Sequence, residues 1–131
     1  MKEIAFRLVK GDDLKACIEQ KCSEKGINTA VVLSGVGSVT KLKIRLAKAL
    51  DYLELEKEHE IVSMTGTVSN GKCHIHVSFS DENGNCIGGH LEKGCIIDTT
   101  CELVFGVLEE YTSQRTYDDS TGFNEIVFKK K

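Results

Sequence analysis

Three of the four histidines in this chain fall in one short stretch, Cys73-His74-Ile75-His76-Val77 and then Gly88-Gly89-His90. Imidazole binds zinc and several other divalent metals, and three of them with a fourth position open make the ligand set of a catalytic zinc site. The spacing suits that chemistry if the first segment is a strand. Alternate strand residues leave the same face, so His74 and His76 would stand roughly 7 Å apart at their bases. His90 returns after the turn-like run Asp81-Glu82-Asn83-Gly84-Asn85, and a third ligand on the neighbouring strand can converge on the same ion. The same spacing also occurs on a solvated face, where the rings would form a hydrogen-bonded cluster without metal.

The residues between the histidines say which face they leave. Cys73, Ile75, Val77 and Phe79 are apolar and belong against a core, whereas His74, His76, Ser78 and Ser80 belong outside. A one-residue slip would bury both imidazoles, so the apolar set pins the register. Gly88 and Gly89 precede His90, and two residues without a Cβ permit a bulge or a close backbone approach that aims its ring. The segment from 95 to 108 splits the same way, with Asp98 and Glu102 on its polar side. If that strand neighbours the histidine strand, these carboxylates become hydrogen-bond partners or proton carriers for the site. Otherwise they are solvated. Cys86, in the same return segment as His90, is the one thiol that could serve as an alternative ligand.

The elements that must hold these residues are mostly strands. Residues 2–9 alternate as a first strand. Gly11-Asp12-Asp13 breaks it and offers an N-cap, and Leu14, Cys17, Ile18 and Cys22 follow at helical spacing until Gly26. A short apolar strand over 28–33 ends in Ser34-Gly35-Val36-Gly37-Ser38, a bulge or tight bend rather than a phosphate loop. Further strands are expected over 42–46, 52–58, 61–68, 72–80, 86–91 and 95–108, with a last one over 125–128. The Asn70-Gly71 pair marks a hairpin turn.

Composition bounds the function. At 131 residues the chain reads as one domain, with mixed charge and ordinary apolar content. The formal net charge is −3, which argues against a basic domain gripping phosphates. The first residues lack a signal-peptide core and no stretch is long enough to span a membrane, so a cytoplasmic location is expected. Cys17, Cys22, Cys73, Cys86, Cys95 and Cys101 form no C-x-x-C pair, and in a reducing compartment they are expected as free thiols.

These residues together resemble the PPC (plant and prokaryote conserved) domain. The resemblance rests on Gly66-Thr67-Val68, His74-Ile75-His76-Val77-Ser78, Gly84, Gly88-Gly89-His90-Leu91, Gly94 and Thr99-Thr100-Cys101-Glu102. Gly11-Asp12-Asp13-Leu14 and Gly37-Ser38 extend it to the front half, so it covers essentially all of residues 1–131. It implies a compact α+β domain, a strongly curved and mostly antiparallel sheet with one main helix packed on it, usually assembled as a homotrimer. The family is commonly labelled DNA-binding because in plants the domain follows an AT-hook. That hook centres on Arg-Gly-Arg-Pro, and this chain contains no proline.

A more distant resemblance is to α-acetolactate decarboxylase and a related zinc ester hydrolase, which hold zinc with three histidines. It implies His74, His76 and His90 as ligands to zinc or another divalent metal. That decarboxylase also uses an Arg and glutamates near the metal, for which Arg45 and Glu102 are the counterparts by strand phase. Two function classes follow. One is a homotrimeric module with a metal or small-molecule site and little or no DNA affinity. The other is a metal-dependent hydrolase or lyase acting on a small carbonyl or ester substrate, with Glu102 as its acid or base.

Overall fold

A computed structural model describes residues 1–131. It contains one helix and nine strands: β1 (Lys2–Val9), α1 (Leu14–Glu24), β2 (Thr29–Arg45), β3 (Tyr52–Leu55), β4 (His59–Ser69), β5 (Lys72–Ser80), β6 (Cys86–Leu91), β7 (Ile96–Val107), β8 (Tyr111–Asp118) and β9 (Phe123–Lys130). The first seven strands form one antiparallel sheet in the order β1-β7-β2-β4-β5-β6, with β3 paired to β2. The expected fold class, a curved antiparallel sheet carrying one helix, is what the chain adopts.

The curvature comes from β2. Its first part pairs with β4, while Ile44 and Arg45 at its far end pair with Leu91 and His90 of β6. The path β2-β4-β5-β6 therefore returns to β2 and closes. One straight strand could not reach both partners. β2 bends through register shifts between Val32 and Ser34, between Gly37 and Val39, and between Val39 and Lys41, as bulges allow. Gly37 lets the bent strand lie against β7, since a Cβ there would fall 2.1 Å from the Thr100 carbonyl oxygen. The glycine-punctuated segment is thus a bulged continuation of one strand, where the sequence suggested two strands with a bend between them.

The core lies inside this closed sheet. Val39, Leu42, Ile44, Ile61, Ile75, Val77, Phe79, Leu91, Leu103 and Phe105 are buried. Helix α1 contributes Leu14, Ile18 and Cys22. Asp13 caps it: one carboxylate oxygen accepts from the Ala16 amide at 3.0 Å and the other from the Gly94 amide at 2.7 Å. Glu19, also buried, accepts from the Cys73 amide at 3.0 Å and so joins the helix to the start of β5. No helix is long and apolar enough to cross a membrane.

Strands β8 and β9 form a separate two-stranded hairpin. A polar cluster ties it to the main sheet. The buried Ser113 hydroxyl lies 2.7 Å from both the Thr29 and Ser69 hydroxyls. The Ser113 amide donates to the Asn28 side-chain oxygen at 2.7 Å, and its carbonyl accepts from the Asn70 amide nitrogen at 3.1 Å. Only the second half of this hairpin was expected from the sequence.

Closure depends on a missing side chain. A Cβ on Gly89 would meet the Arg45 carbonyl oxygen at 2.6 Å, closer than non-bonded atoms allow. Gly89→Ala should force β6 away from β2 and cost about 2 kcal/mol of stability. Gly84→Ala, in a turn with open space around it, meets only the backbone strain of a side chain at a φ of +82° and should cost less. Urea unfolding of the two variants measures the difference, and equal midpoints would contradict it.

Candidate metal centre

Strand β5 shows the predicted alternation without exception: Cys73, Ile75, Val77 and Phe79 are buried, while His74 and His76 are exposed. Antiparallel pairing then builds the site. His76 lies directly opposite His90 of β6, and His90 lies directly opposite Arg45 of β2. Directly opposed residues share a face, so Arg45, His90 and His76 stand in one row across three strands on the outside of the closed sheet. His74 adds a ligand two residues along β5. Gly88 and Gly89 act by close approach rather than by a bulge, for β5 and β6 pair in unbroken register from His76 to Ser80.

The three rings converge. Their centroids are 5.2 Å (His74–His76), 5.1 Å (His74–His90) and 5.8 Å (His76–His90) apart. Each ring offers one nitrogen to a group in which all such atoms lie within 4.8 Å of one another. Tetrahedral zinc with imidazole ligands sets its nitrogens about 3.4 Å apart, a separation within that 4.8 Å limit. The residues therefore fit a divalent ion. His59, the fourth histidine, has a structural role: it is buried, its Nδ1 lies 2.8 Å from the Lys57 carbonyl oxygen, and its ring meets Phe79 edge-on.

The site faces an open pocket of about 620 Å³, lined by the three histidines, Gly88, Gly89, Arg45, the 46–49 turn and Phe123. The Arg45 guanidinium lies over the Phe123 ring, 5.8 Å from its centroid. In the turn, Lys48 and Ala49 both have positive φ, +78° and +59°, conformations that side-chain-bearing residues adopt at a cost.

Electrostatics favour neutral imidazoles. Desolvation pushes the His90 pKa down to about 4, reinforced by the Arg45 charge and the neighbouring histidines. His74 is also lowered, first by desolvation, then by His76 and by Arg115 of β8, with Glu125 of β9 acting in the opposite sense. A neutral ring keeps the lone pair a metal needs. Arg115, Glu125 and Phe123 are the residues that sequence reasoning missed. They lie on the hairpin whose polar first strand carries no apolar alternation to announce it.

Other sequence candidates fall elsewhere. Glu102 is exposed on β7, paired with Arg7 of β1 and Val36 of β2. Asp98, also on β7, faces a different depression beside Ser38 and His59. β7 is not a neighbour of β5 or β6, because β2 runs between them. The structure brings neither carboxylate to the histidines. Cys86 pairs with Ser80, four residues along from the His76–His90 pair, about 13 Å at strand rise. All six cysteines are free. Burial pushes the Cys73 and Cys101 thiols up to about 12, so neither supplies a thiolate at neutral pH.

A family model described as the Plants and Prokaryotes Conserved (PCC) domain matches residues 1–109. The chain belongs to the PCC domain family. A solved structure, a hypothetical protein from Salmonella enterica, superposes with a TM-score of 0.94 at 28% identity, covering 98% of this chain and 94% of that one. A protein from Archaeoglobus fulgidus described as metal-containing is 31% identical, with a TM-score of 0.79 over 97% of this chain and 94% of that one. The bifunctional protein GlmU of Synechococcus sp. (strain JA-3-3Ab) is 35% identical over 125 residues, 95% of this chain. The chain spans only 20% of that relative's length. A Staphylococcus aureus protein described as similar to α-acetolactate decarboxylase shares the fold alone, at 15% identity and a TM-score of 0.54 over 83% of this chain and 54% of that one.

The depressed His90 pKa has a definite consequence in metal-free protein. Its C–H resonances should titrate near pH 4 rather than near 6.5. As pH falls below 6.5 the unfolded chain takes up this proton first, so the stability His90 contributes is full above 6.5 and is lost toward pH 4. An NMR titration with a midpoint at or above 6.5 would contradict the desolvated placement of the ring.

Proposed function

We propose that this PCC domain is a homotrimeric metal-binding module in which His74, His76 and His90 hold one divalent ion, zinc first among the candidates. The observation that carries the reading is the convergence of three ring nitrogens within 4.8 Å beside an open pocket. The metal-containing description of the Archaeoglobus fulgidus relative supports it. No further protein ligand completes the cluster, which leaves a position for water or a ligand, as in zinc sites that do chemistry. When bound, such an ion supplies Lewis acidity for a carbonyl or ester oxygen.

That open position and the adjoining pocket favour a second reading, a hydrolase or lyase for a small carbonyl or ester. In it, Glu125 is a better placed carboxylate than Glu102, because its charge acts on His74. DNA binding has less support. The net charge is −3, and the lysines and arginines are dispersed along the chain. Assembly is supported by outward apolar side chains on adjacent strands, Leu33 and Val36 of β2 and Val62 of β4, each about half exposed, a surface that self-association would cover.

Untagged protein refolded with zinc and passed through gel filtration should retain about one zinc per chain by elemental analysis. His76→Ala should retain none and keep the wild-type circular dichroism, because the ring lies outside the core. Wild-type protein without zinc after the same treatment would refute the metal reading. Light scattering should give the mass of three chains, and a stable monomer would refute the assembly. Binding to A·T-rich duplex at physiological salt should be absent or weak.

A further inference from the structure

We propose that a lysine-ringed depression beside the histidine row is a phosphate site, and that it receives the phosphate of a small phosphate monoester. The phosphate site stands on its own residues. Only the further step, that the rest of the monoester faces the histidines, rests on the reading of that row as a metal site.

The depression, about 360 Å³, lies among Lys15, Lys43, Tyr52, Lys72, Glu92 and Lys93. Its lysines come from α1, β2, β5 and the turn after β6, so the fold and not a basic run of sequence gathers them. Three carboxylates border them, and each is turned to another group. Glu19 is buried and accepts from the Cys73 amide at 3.0 Å. Glu54 stands opposite Lys43 in the β2–β3 ladder but pairs with Lys41 at 3.2 Å. Glu92 lies 3.9 Å from Lys15. Lys43, Lys72 and Lys93 take part in none of the chain's ion pairs, which are Lys15–Glu92, Lys41–Glu54 and Lys57–Glu82. Lys43 is also held in place. Its ammonium lies 5.2 Å from the centre of the Tyr52 ring. Its stem runs along Gly94, where a Cβ would fall 3.2 Å from the Lys43 Cβ. A side chain fixed in this way loses less freedom on receiving an anion.

Charge and position name the ligand. Ammonium groups act as separate point charges, and three of them can share the oxygens of one phosphate, whereas a carboxylate is matched by a single planar guanidinium. Glu54 and Glu92 bound the positive surface, so it is no stripe along which a nucleic-acid backbone could run. Strand residues two apart share a face. Lys43 stands two residues from Arg45, Lys72 two from His74, and Glu92 two from His90, its amide continuing the ladder to the Lys43 carbonyl at 3.3 Å. The depression therefore adjoins the histidine row on the outer face, about 7 Å along the strands. A molecule anchored there by its phosphate directs its other end to the histidines, where a carbonyl or carboxylate oxygen meets the metal.

The test uses full-length protein freed of metal by chelation and dialysis. Inorganic phosphate, phosphoglycolate and malonate are titrated separately by calorimetry at low ionic strength, where screening is weak. Saturable binding of both phosphate probes is expected, with malonate weaker. The double variant Lys72→Gln/Lys93→Gln, whose side chains are exposed and outside the core, should lose about tenfold or more in affinity for both. Lys129→Gln, on β9, should bind like wild type. His76→Ala should bind inorganic phosphate like wild type, and the double variant should keep its zinc, so failure of one site is read apart from failure of the other. Zinc loading should tighten phosphoglycolate more than inorganic phosphate, a gain that His76→Ala should lack. No saturable binding of either phosphate probe, equal affinity in the double variant, or malonate bound more tightly than phosphate would overturn the phosphate site. An equal effect of zinc on both phosphate probes would overturn the step toward the histidines.

Discussion

The candidate site depends on one contact, the approach of β6 to the end of β2. There Gly89 meets the Arg45 carbonyl and His90 takes its place between His76 and Arg45. A side chain at position 89 would hold the backbones apart. With the strands together, a row of outward residues crosses three strands, and the ligands come from pairing geometry rather than from a loop. Sites built on paired strands inherit the rigidity of the ladder. The buried set on β5 holds the same register from below, so the core and the site specify each other.

Much of this arrangement could be read from the residues. The alternation of Cys73, Ile75, Val77 and Phe79 with His74 and His76 is a period-two signal, and burial enforces it. The glycines before His90 marked a backbone constraint correctly, although alternation and spacing could not say whether it would be a bulge or a close approach. Local signals fail where the deciding contact is distant in sequence. Nothing near Glu102 says that β2 intervenes between its strand and the histidines. β2 itself read as two strands because its bulges bring glycine and serine into the pattern. The 46–49 turn carries no glycine or asparagine at its positive-φ positions, so it gave no turn signal.

The hairpin over Tyr111–Lys130 is a different case. Its strands are largely exposed, and Tyr111, Tyr117, Phe123, Val127 and Phe128 all keep substantial surface. With no single buried face there is no alternation to read. Isolated hairpins are marginal in water, and this one is held by the polar cluster around Ser113, whose members Asn28, Thr29, Ser69 and Asn70 come from the β2 and β4 ends of the main sheet. Buried polar clusters of this kind are specific when fully satisfied. They position the hairpin so that its far end, with Phe123, reaches the pocket about the histidines.

In the proposed centre three imidazoles and no thiolate hold one ion. X-ray absorption at the zinc edge of zinc-loaded protein in solution tests it most directly. A nearest shell of nitrogen and oxygen only is expected, at about 2.0 Å, with the outer-shell scattering of imidazole rings. A sulfur shell at about 2.3 Å would place a cysteine, such as Cys86, on the metal and contradict the site described by His74, His76 and His90.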